Sequence, residues 1–228
     1  MTVRDRTVLL AGATSPSGLT ITRLLMEAGA RVIAVGRDQS RLDDLAAAAG
    51  SSDPASGSLR TEVCSLTDET EVAALASRLA DAGEHIDGLV PLVGGWRGGG
   101  GLAGQTEEDY RVLAQAFTAV RVTSRAFDAD LRTSQAGRFA IVSSVAVARP
   151  LAGGANYAAV KAASEAWTRA VAQGFAKAAR DADEPLRAAA VAFRVRTLDE
   201  VIDRVAAQIA GLWDMDPAEL NDRIIEIT

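Results

Sequence analysis

The stretch that decides the fold is TVLLAGATSPSG, residues 7–18. Thr7 to Ala11 form a short apolar run that reads as a strand. Gly12 and Gly18 bracket the turn that follows. Residues 17–28 then place Leu19, Ile21, Leu24, Leu25 and Ala28 at roughly helical spacing, and Gly29 stops the helix. A strand, a glycine-containing turn and a helix set backbone N–H groups and the positive end of the helix dipole where a pyrophosphate can rest. Gly12 allows the tight turn and Gly18 allows close packing of helix on sheet. Pro16 suits the first helical position, where no N–H is needed. Ser15 can cap the helix. With Thr14, the amide and hydroxyl of Ser17 remain available to phosphate. Taken alone, the same residues also describe an ordinary helix start.

Outward from this unit the alternation continues along the chain. Strands are expected at residues 31–35, 59–64, 88–93, 138–144, 187–193 and 222–227. Helices are expected at 40–49, 68–82 with Thr67 as cap, 106–132 with Thr106 as cap, and 156–179. A further helix opens at 198 behind a Thr197-Leu198-Asp199-Glu200 capping box and runs to about 212. Residues 51–58 (SSDPASGS) and the glycine-rich 94–104 are loops by composition. Alternation of this length implies an α/β fold, a doubly wound parallel sheet of seven strands with helices on both faces. No composition shift marks a second domain, so residues 1–228 are expected to form one. Such sheets bind ligands at the carboxyl ends of their strands, where the strand order reverses.

Composition narrows the possible functions. Of 228 residues, 48% are hydrophobic and 24% charged, which is ordinary for a folded domain. The net charge of −6 disfavours a nucleic-acid partner, which needs a basic face. One cysteine, Cys64, excludes an internal disulfide and a cysteine-rich zinc site. One histidine, His85, excludes a multi-histidine metal centre, so no metal site is expected. No segment approaches the roughly 18 apolar residues of a membrane span. The charged start, MTVRDRTVLLAG, does not read as a signal peptide. A soluble protein of the cytoplasm is expected.

Two positions bear on a nucleotide. The second strand ends Val35-Gly36-Arg37. An acidic residue there would accept from an adenosine ribose hydroxyl and favour NAD. Gly36 leaves room instead, and Arg37 offers a guanidinium suited to a 2′-phosphate. NADP(H) is therefore expected in preference to NAD(H), the alternative being a surface arginine paired with Asp38.

The chain has two tyrosines and two lysines, and one of each stands in Tyr157-Ala158-Ala159-Val160-Lys161. Chance would produce this spacing about 2% of the time. Residues i and i+4 share a helix face. A tyrosine hydroxyl ordinarily ionises near pH 10, and a neighbouring ammonium is expected to lower that. A phenol so tuned can give a proton to a carbonyl or remove one from an alcohol. Ser144, at the end of the fifth strand, can hydrogen-bond the same oxygen.

With these residues in place the chain resembles the short-chain dehydrogenase/reductase family, in order, across nearly its whole length. The glycine turn, Gly36-Arg37, IVSS with Ser144, YAAVK and the closing NDRIIEIT carry the resemblance. It implies a Rossmann-like seven-stranded sheet and NAD(P)-dependent carbonyl or alcohol chemistry. It also implies a homodimer or homotetramer paired through the long helices at 107–132 and 156–179. By family pattern Tyr157 is the acid/base, and Ser144 orients the substrate oxygen. Lys161 lowers the tyrosine pKa and contacts the nicotinamide ribose. Gly94 and Thr197 border the nicotinamide half. The stretch VGGWRGGG, residues 93–100, also looks locally like dihydropteridine reductases of this superfamily.

Departures from the family pattern accompany these matches. Pro16 replaces the middle glycine, and Ser65 stands where an adenine-contacting Asp is common. Pro91-Leu92-Val93-Gly94 replaces Asn-Asn-Ala-Gly. Ala116, beside Gln115, takes the place of the Asn that helps hold a relay water. Phe193-Arg194 replaces the Pro-Gly at the nicotinamide border. Few residues separate Phe193 from the next helix, so the usual substrate lid is missing. The pocket is then expected to be open on one side, with Trp96 and Arg97 of the glycine-rich loop forming part of a wall. An open pocket suits a bulky or carrier-tethered substrate. The readings carried forward are an oxidoreductase, a non-redox dehydratase, isomerase or cyclase on the same scaffold, and a nucleotide sensor without turnover.

Overall fold

A computed structural model of the chain describes residues 2–50 and 57–228. Most of the expected 51–58 loop lies outside the described residues. Seven strands join one sheet: β1 (Thr7–Ala11), β2 (Arg31–Gly36), β3 (Ser58–Val63), β4 (Gly88–Pro91), β5 (Arg138–Ser144), β6 (Ala189–Val195) and β7 (Arg223–Ile227). Their order is β3-β2-β1-β4-β5-β6-β7, and every pairing is parallel. The helices are α1 (Pro16–Glu27), α2 (Gln39–Ala49), α3 (Glu69–Asp81), α4 (Glu107–Ala126), α5 (Asp128–Thr133), α6 (Ala155–Asp181), α7 (Leu198–Gly211) and the single turn α8 (Pro217–Leu220). The sheet is thus the expected Rossmann-like α/β fold.

The central strands bury both faces, so they read as unbroken apolar runs. In β1, Val8 and Leu10 enter a core with Ile21 and Leu25 of α1, Leu42 of α2 and Val205 of α7. Leu9 and Ala11 enter the opposite core with Leu75 of α3, Ala119 of α4 and Phe175 of α6. Trp213 closes the first core. Its indole N–H donates to Ala136 O at 2.9 Å, and its ring fills the space a side chain at Gly88 would need. The ring thus lies at the start of β4, in the core that also takes Ile227 of β7. Arg138, 2% exposed, donates to the carbonyls of Leu212, Arg187 and Met215 and holds the chain between α7 and β7 under the sheet.

Several boundaries depart from the sequence expectation. Asp68, not Thr67, caps α3, accepting from the amides of Thr70 and Glu71 at 2.8 and 3.1 Å. A carboxylate is the stronger acceptor at a helix N-terminus. The expected 106–132 helix breaks at Phe127, which leaves helical geometry and buries its ring between α4 and α5. β6 ends two residues later than expected, because it pairs with β5 out to Ser144↔Val195 and with β7 out to Val195↔Ile227. Phe193 and Arg194 therefore lie inside a strand and face opposite sides of the sheet.

The order reverses at β1, which has β2 on one side and β4 on the other. β4 pairs with β5 only through Gly88 and Leu89, so residues 140–144 of β5 run on without a β4 partner. A cavity opens there, lined by Pro91 at the end of β4, by Leu92 after it and by Val142 to Ser144 of β5.

Candidate active site

Two adjoining cavities lie at the carboxyl edge of the strands, of about 450 Å³ and about 1220 Å³. Both are lined by Ser15 and by residues 92–96, so they form one continuous cleft.

The smaller cavity is built by the first turn and the end of β2. Gly12, Thr14, Ser15 and Arg37, four of the residues expected to hold a nucleotide, line it. Gly12 adopts φ +96°, and a side chain there would press on Val93 at 2.9 Å. Gly18 lies outside both linings and acts by packing, since a Cβ would stand 2.0 Å from Ala13 O. Ser15 caps α1, accepting from the Gly18 amide at 3.0 Å, and Pro16 opens the helix. Ser17 is less free than expected, because its hydroxyl donates to Asp199 Oδ1 at 3.3 Å. A Cβ on Gly36 would meet the Thr14 methyl at 2.7 Å, so glycine keeps this corner open. Arg37 has no hydrogen bond or ion pair among the described residues. Asp38 instead caps α2 through the Arg41 amide at 3.2 Å.

Arg41 is the residue the sequence reading missed. It lines the same cavity as Arg37 and donates to Thr14 O at 2.8 Å. Its four-residue spacing from Arg37 was the available signal. Ser65 lines this cavity, as does Cys64, whose thiol is pushed up to about 11 by burial.

The larger cavity holds the expected Ser144, Tyr157 and Lys161, with Gly94 and Thr197 on its rim. Ser144 closes β5, and its hydroxyl also accepts the Ala146 amide at 3.1 Å. Tyr157 and Lys161 stand one turn apart near the start of α6. Lys161 Nζ lies 5.7 Å from the Tyr157 ring centroid and donates to Val142 O at 2.7 Å. Burial draws the Lys161 ammonium down to about 8, opposed by the negative charge of Glu165.

The expected lowering of the tyrosine pKa is not found. Burial raises it, and only a hydrogen bond with Ser144 works the other way. The reason is geometric: Lys161 faces the ring and the Val142 carbonyl. Ala116 packs with Leu113, Val160 and Tyr157 in a small apolar cluster, so the position of the family Asn offers no polar group.

Neither Phe193 nor Arg194 lines the cleft. Phe193 is fully buried in the core on the α7 side. Arg194 turns toward α6 and clasps Glu165 through Nε at 2.9 Å and Nη2 at 2.7 Å. Thr197 occupies the N-cap position of α7 but makes no capping hydrogen bond, so the expected capping box does not form.

The glycine-rich loop is fastened down. Gly99 N–H donates to Gly153 O at 2.7 Å, and the Gln105 amide shares its hydrogens among the carbonyls of Gly153, Gly99 and Gly101 at 3.0–3.2 Å. Arg97 pairs with Asp109 at 3.4 Å. Trp96, Leu102 and Leu151 remain exposed, and only Arg196 and Thr197 separate β6 from α7. His85 is exposed beside Asp130. Trp167 packs edge-on to Phe117 and bonds Ser124, away from the cleft. No helix among the described residues is long and apolar enough to cross a membrane.

The profile of the short chain dehydrogenase family matches residues 6–179. A relative from Bos taurus, dehydrogenase/reductase SDR family member 7B, is 29% identical over 72% of this chain and 52% of its own. The chain spans between 30% and 52% of the length of the curated relatives it matches. An NADPH-bound short chain oxidoreductase from Pseudomonas aeruginosa PAO1, described as containing an atypical catalytic center, superposes with a TM-score of 0.83 at 21% identity. That superposition covers 98% of this chain and 96% of the other. NAD+-bound xylitol dehydrogenase superposes with a TM-score of 0.83 at 17% identity, over 100% and 99% of the two chains. The family match does not reach to dihydropteridine reductases, whose likeness rests on VGGWRGGG alone.

Proposed function

The chain belongs to the short-chain dehydrogenase family, and on that premise we propose that it reduces a ketone or aldehyde, or oxidises the alcohol, with NADP(H) in preference to NAD(H). The observation that carries this reading is the meeting of Ser144, Tyr157 and Lys161 at the wider end of a cleft whose other end carries Arg37 and Arg41.

The residues present fit the nucleotide. Gly12, Gly36 and the capped start of α1 leave a cradle that side chains would fill, at the positive end of the helix dipole. Arg37 and Arg41 would hold a 2′-phosphate, and Thr197 and Gly94 would border the nicotinamide. When bound, the nicotinamide supplies or takes the hydride.

The chain's own residues handle the oxygen and its proton. Tyr157, whose pKa burial raises, keeps its proton at neutral pH and donates it to the carbonyl oxygen as charge develops there. Ser144 donates a second hydrogen bond to that oxygen. Lys161, held by Val142 O, presents an ammonium to the floor of the cleft beside Gly94. The protonated phenol is the form that serves the reductive step, and the phenolate the reverse.

A non-redox dehydratase, isomerase or cyclase would draw on the absent Asn at Ala116 and on Phe193-Arg194, and neither of the latter two side chains lines the cleft. The short β6–α7 connection suits a bulky or carrier-tethered substrate, and pairing of two or four copies through α4 and α6 is part of the same proposal.

Titrating NADPH and NADH separately, then assaying a carbonyl panel, tests the reading. Tyr157→Phe should lose at least ~100-fold in kcat and keep NADPH binding. Absence of nucleotide binding, or turnover without nicotinamide consumption, overturns it.

A further inference from the structure

Beneath the cleft two polar side chains, Ser143 and Arg194, converge on one carboxylate. Glu165 is 5% exposed and lies one helical turn beyond Lys161 on α6. Its Oε1 accepts from Ser143 Oγ at 2.5 Å and Arg194 Nε at 2.9 Å, and its Oε2 accepts from Arg194 Nη2 at 2.7 Å. Arg194 is itself largely buried, and its other arm approaches Glu226 on β7 at 3.8 Å. A buried ion pair adds little net stability compared with apolar packing of the same volume. Its placement one turn from Lys161, at a strand position where the family has glycine, calls for another explanation.

We propose that Glu165, held in place by Arg194 and Ser143, is a positioning residue that sets the charge of Lys161 on the floor of the cleft. An ammonium with one hydrogen bond, to Val142 O, and little water tends to lose its proton. The carboxylate one turn away opposes that loss, as the drop of Lys161 to about 8 against the pull of Glu165 reflects. Arg194 works in two ways: it fixes the carboxylate in place, and its positive charge offsets part of the field Lys161 feels. The titratable and charged groups around Lys161 are Tyr157 and Glu165 on α6 and Arg194 on β6. Ser143 and Ser144 of β5 add hydroxyls, while Arg149, Arg196 and Asp199 line the same cavity. Its bearing on turnover rests on the reading given under Proposed function, whereas the charge relationship itself does not.

The chain allows a direct test, because Lys161 and Lys177 are its only lysines. Protein labelled at lysine 13Cε gives two titrating resonances, and Lys177→Arg assigns them, with neither nucleotide nor substrate present. Wild type should show Lys161 titrating near 8. Glu165→Gln, which keeps a carbonyl oxygen for Arg194, should move that midpoint acidward by on the order of one pH unit. Glu165→Asp, which keeps the charge, should stay nearer wild type than Glu165→Gln. Arg194→Gln should move it the opposite way. An unmoved Lys161 midpoint in folded Glu165→Gln overturns the proposal. If that variant does not fold, an unmoved or acidward midpoint in Arg194→Gln overturns it. Failure here leaves the oxidoreductase reading standing, and absence of nucleotide binding leaves this one standing.

Discussion

Gln105 accepts the backbone N–H of Asn156 at 3.2 Å, one residue before Tyr157, while its amide nitrogen donates to Gly153 O at 3.0 Å. One side chain thus joins the end of the glycine-rich loop to the first turn of the helix that carries the phenol. Asn156 adds a bond of its own, from Nδ2 to Thr106 O at 3.1 Å.

Replacing Gln105 with Ala should free the loop and loosen the start of α6. Amide hydrogen exchange is expected to quicken at residues 98–104 and 153–156 and to stay unchanged in β1 and β5. Each lost hydrogen bond is worth about 1 kcal/mol, so global stability should fall only slightly. Exchange that quickens across the whole chain would show Gln105 to be a general stability element instead.

On the proposed NADP(H) reading, Arg37 and Arg41 should contribute separately to nucleotide choice. Charge-assisted bonds are worth about 1.5–3 kcal/mol each. Arg37→Ala or Arg41→Ala should therefore weaken NADPH binding roughly 10- to 100-fold and leave NADH nearly unchanged. Fluorescence titration of both nucleotides reads this, and equal weakening of both would assign the arginines to the shared part of the molecule.

The Arg194–Glu165 pair should behave as a buried couple. Arg194→Met leaves a carboxylate without its strongest partner and should cost about 3–5 kcal/mol in urea unfolding. The double variant with Glu165→Met removes both charges and should recover most of that loss. If the two changes simply add, the pair is not coupled.

Cys64 should be inert in the folded protein. Its thiol rises from 9.0 to about 11 through burial, so at pH 8 a disulfide reagent should react only after unfolding. Between those two values the folded chain keeps a proton that the unfolded chain has lost. Stability therefore falls as pH rises through this window, by on the order of 2–3 kcal/mol relative to Cys64→Ala. Parallel unfolding curves at pH 8 and pH 10.5 check the sign.

What the sequence by itself determined was local. β1 and its turn follow from an apolar run bounded by Gly12 and Gly18, and the Tyr157–Lys161 face follows from a spacing of four on a helix. The order of strands and helices follows from periodicity repeated along the chain. Each of these depends on residues a few positions apart, whose geometry the backbone sets.

What only the tertiary structure decided was direction. Arg194 could have pointed into the cleft; the extension of β6 to Val195 turned it toward Glu165, 29 residues earlier. Lys161 was expected to ease ionisation of the phenol, yet the stretch of β5 beyond its β4 partner offers Val142 O, and the ammonium turned there. Gln105 meets Gly153 across 48 residues. Strand register and helix docking fix which way such side chains face, and desolvation then sets their charge. Both arise from packing between distant segments, which no local spacing encodes.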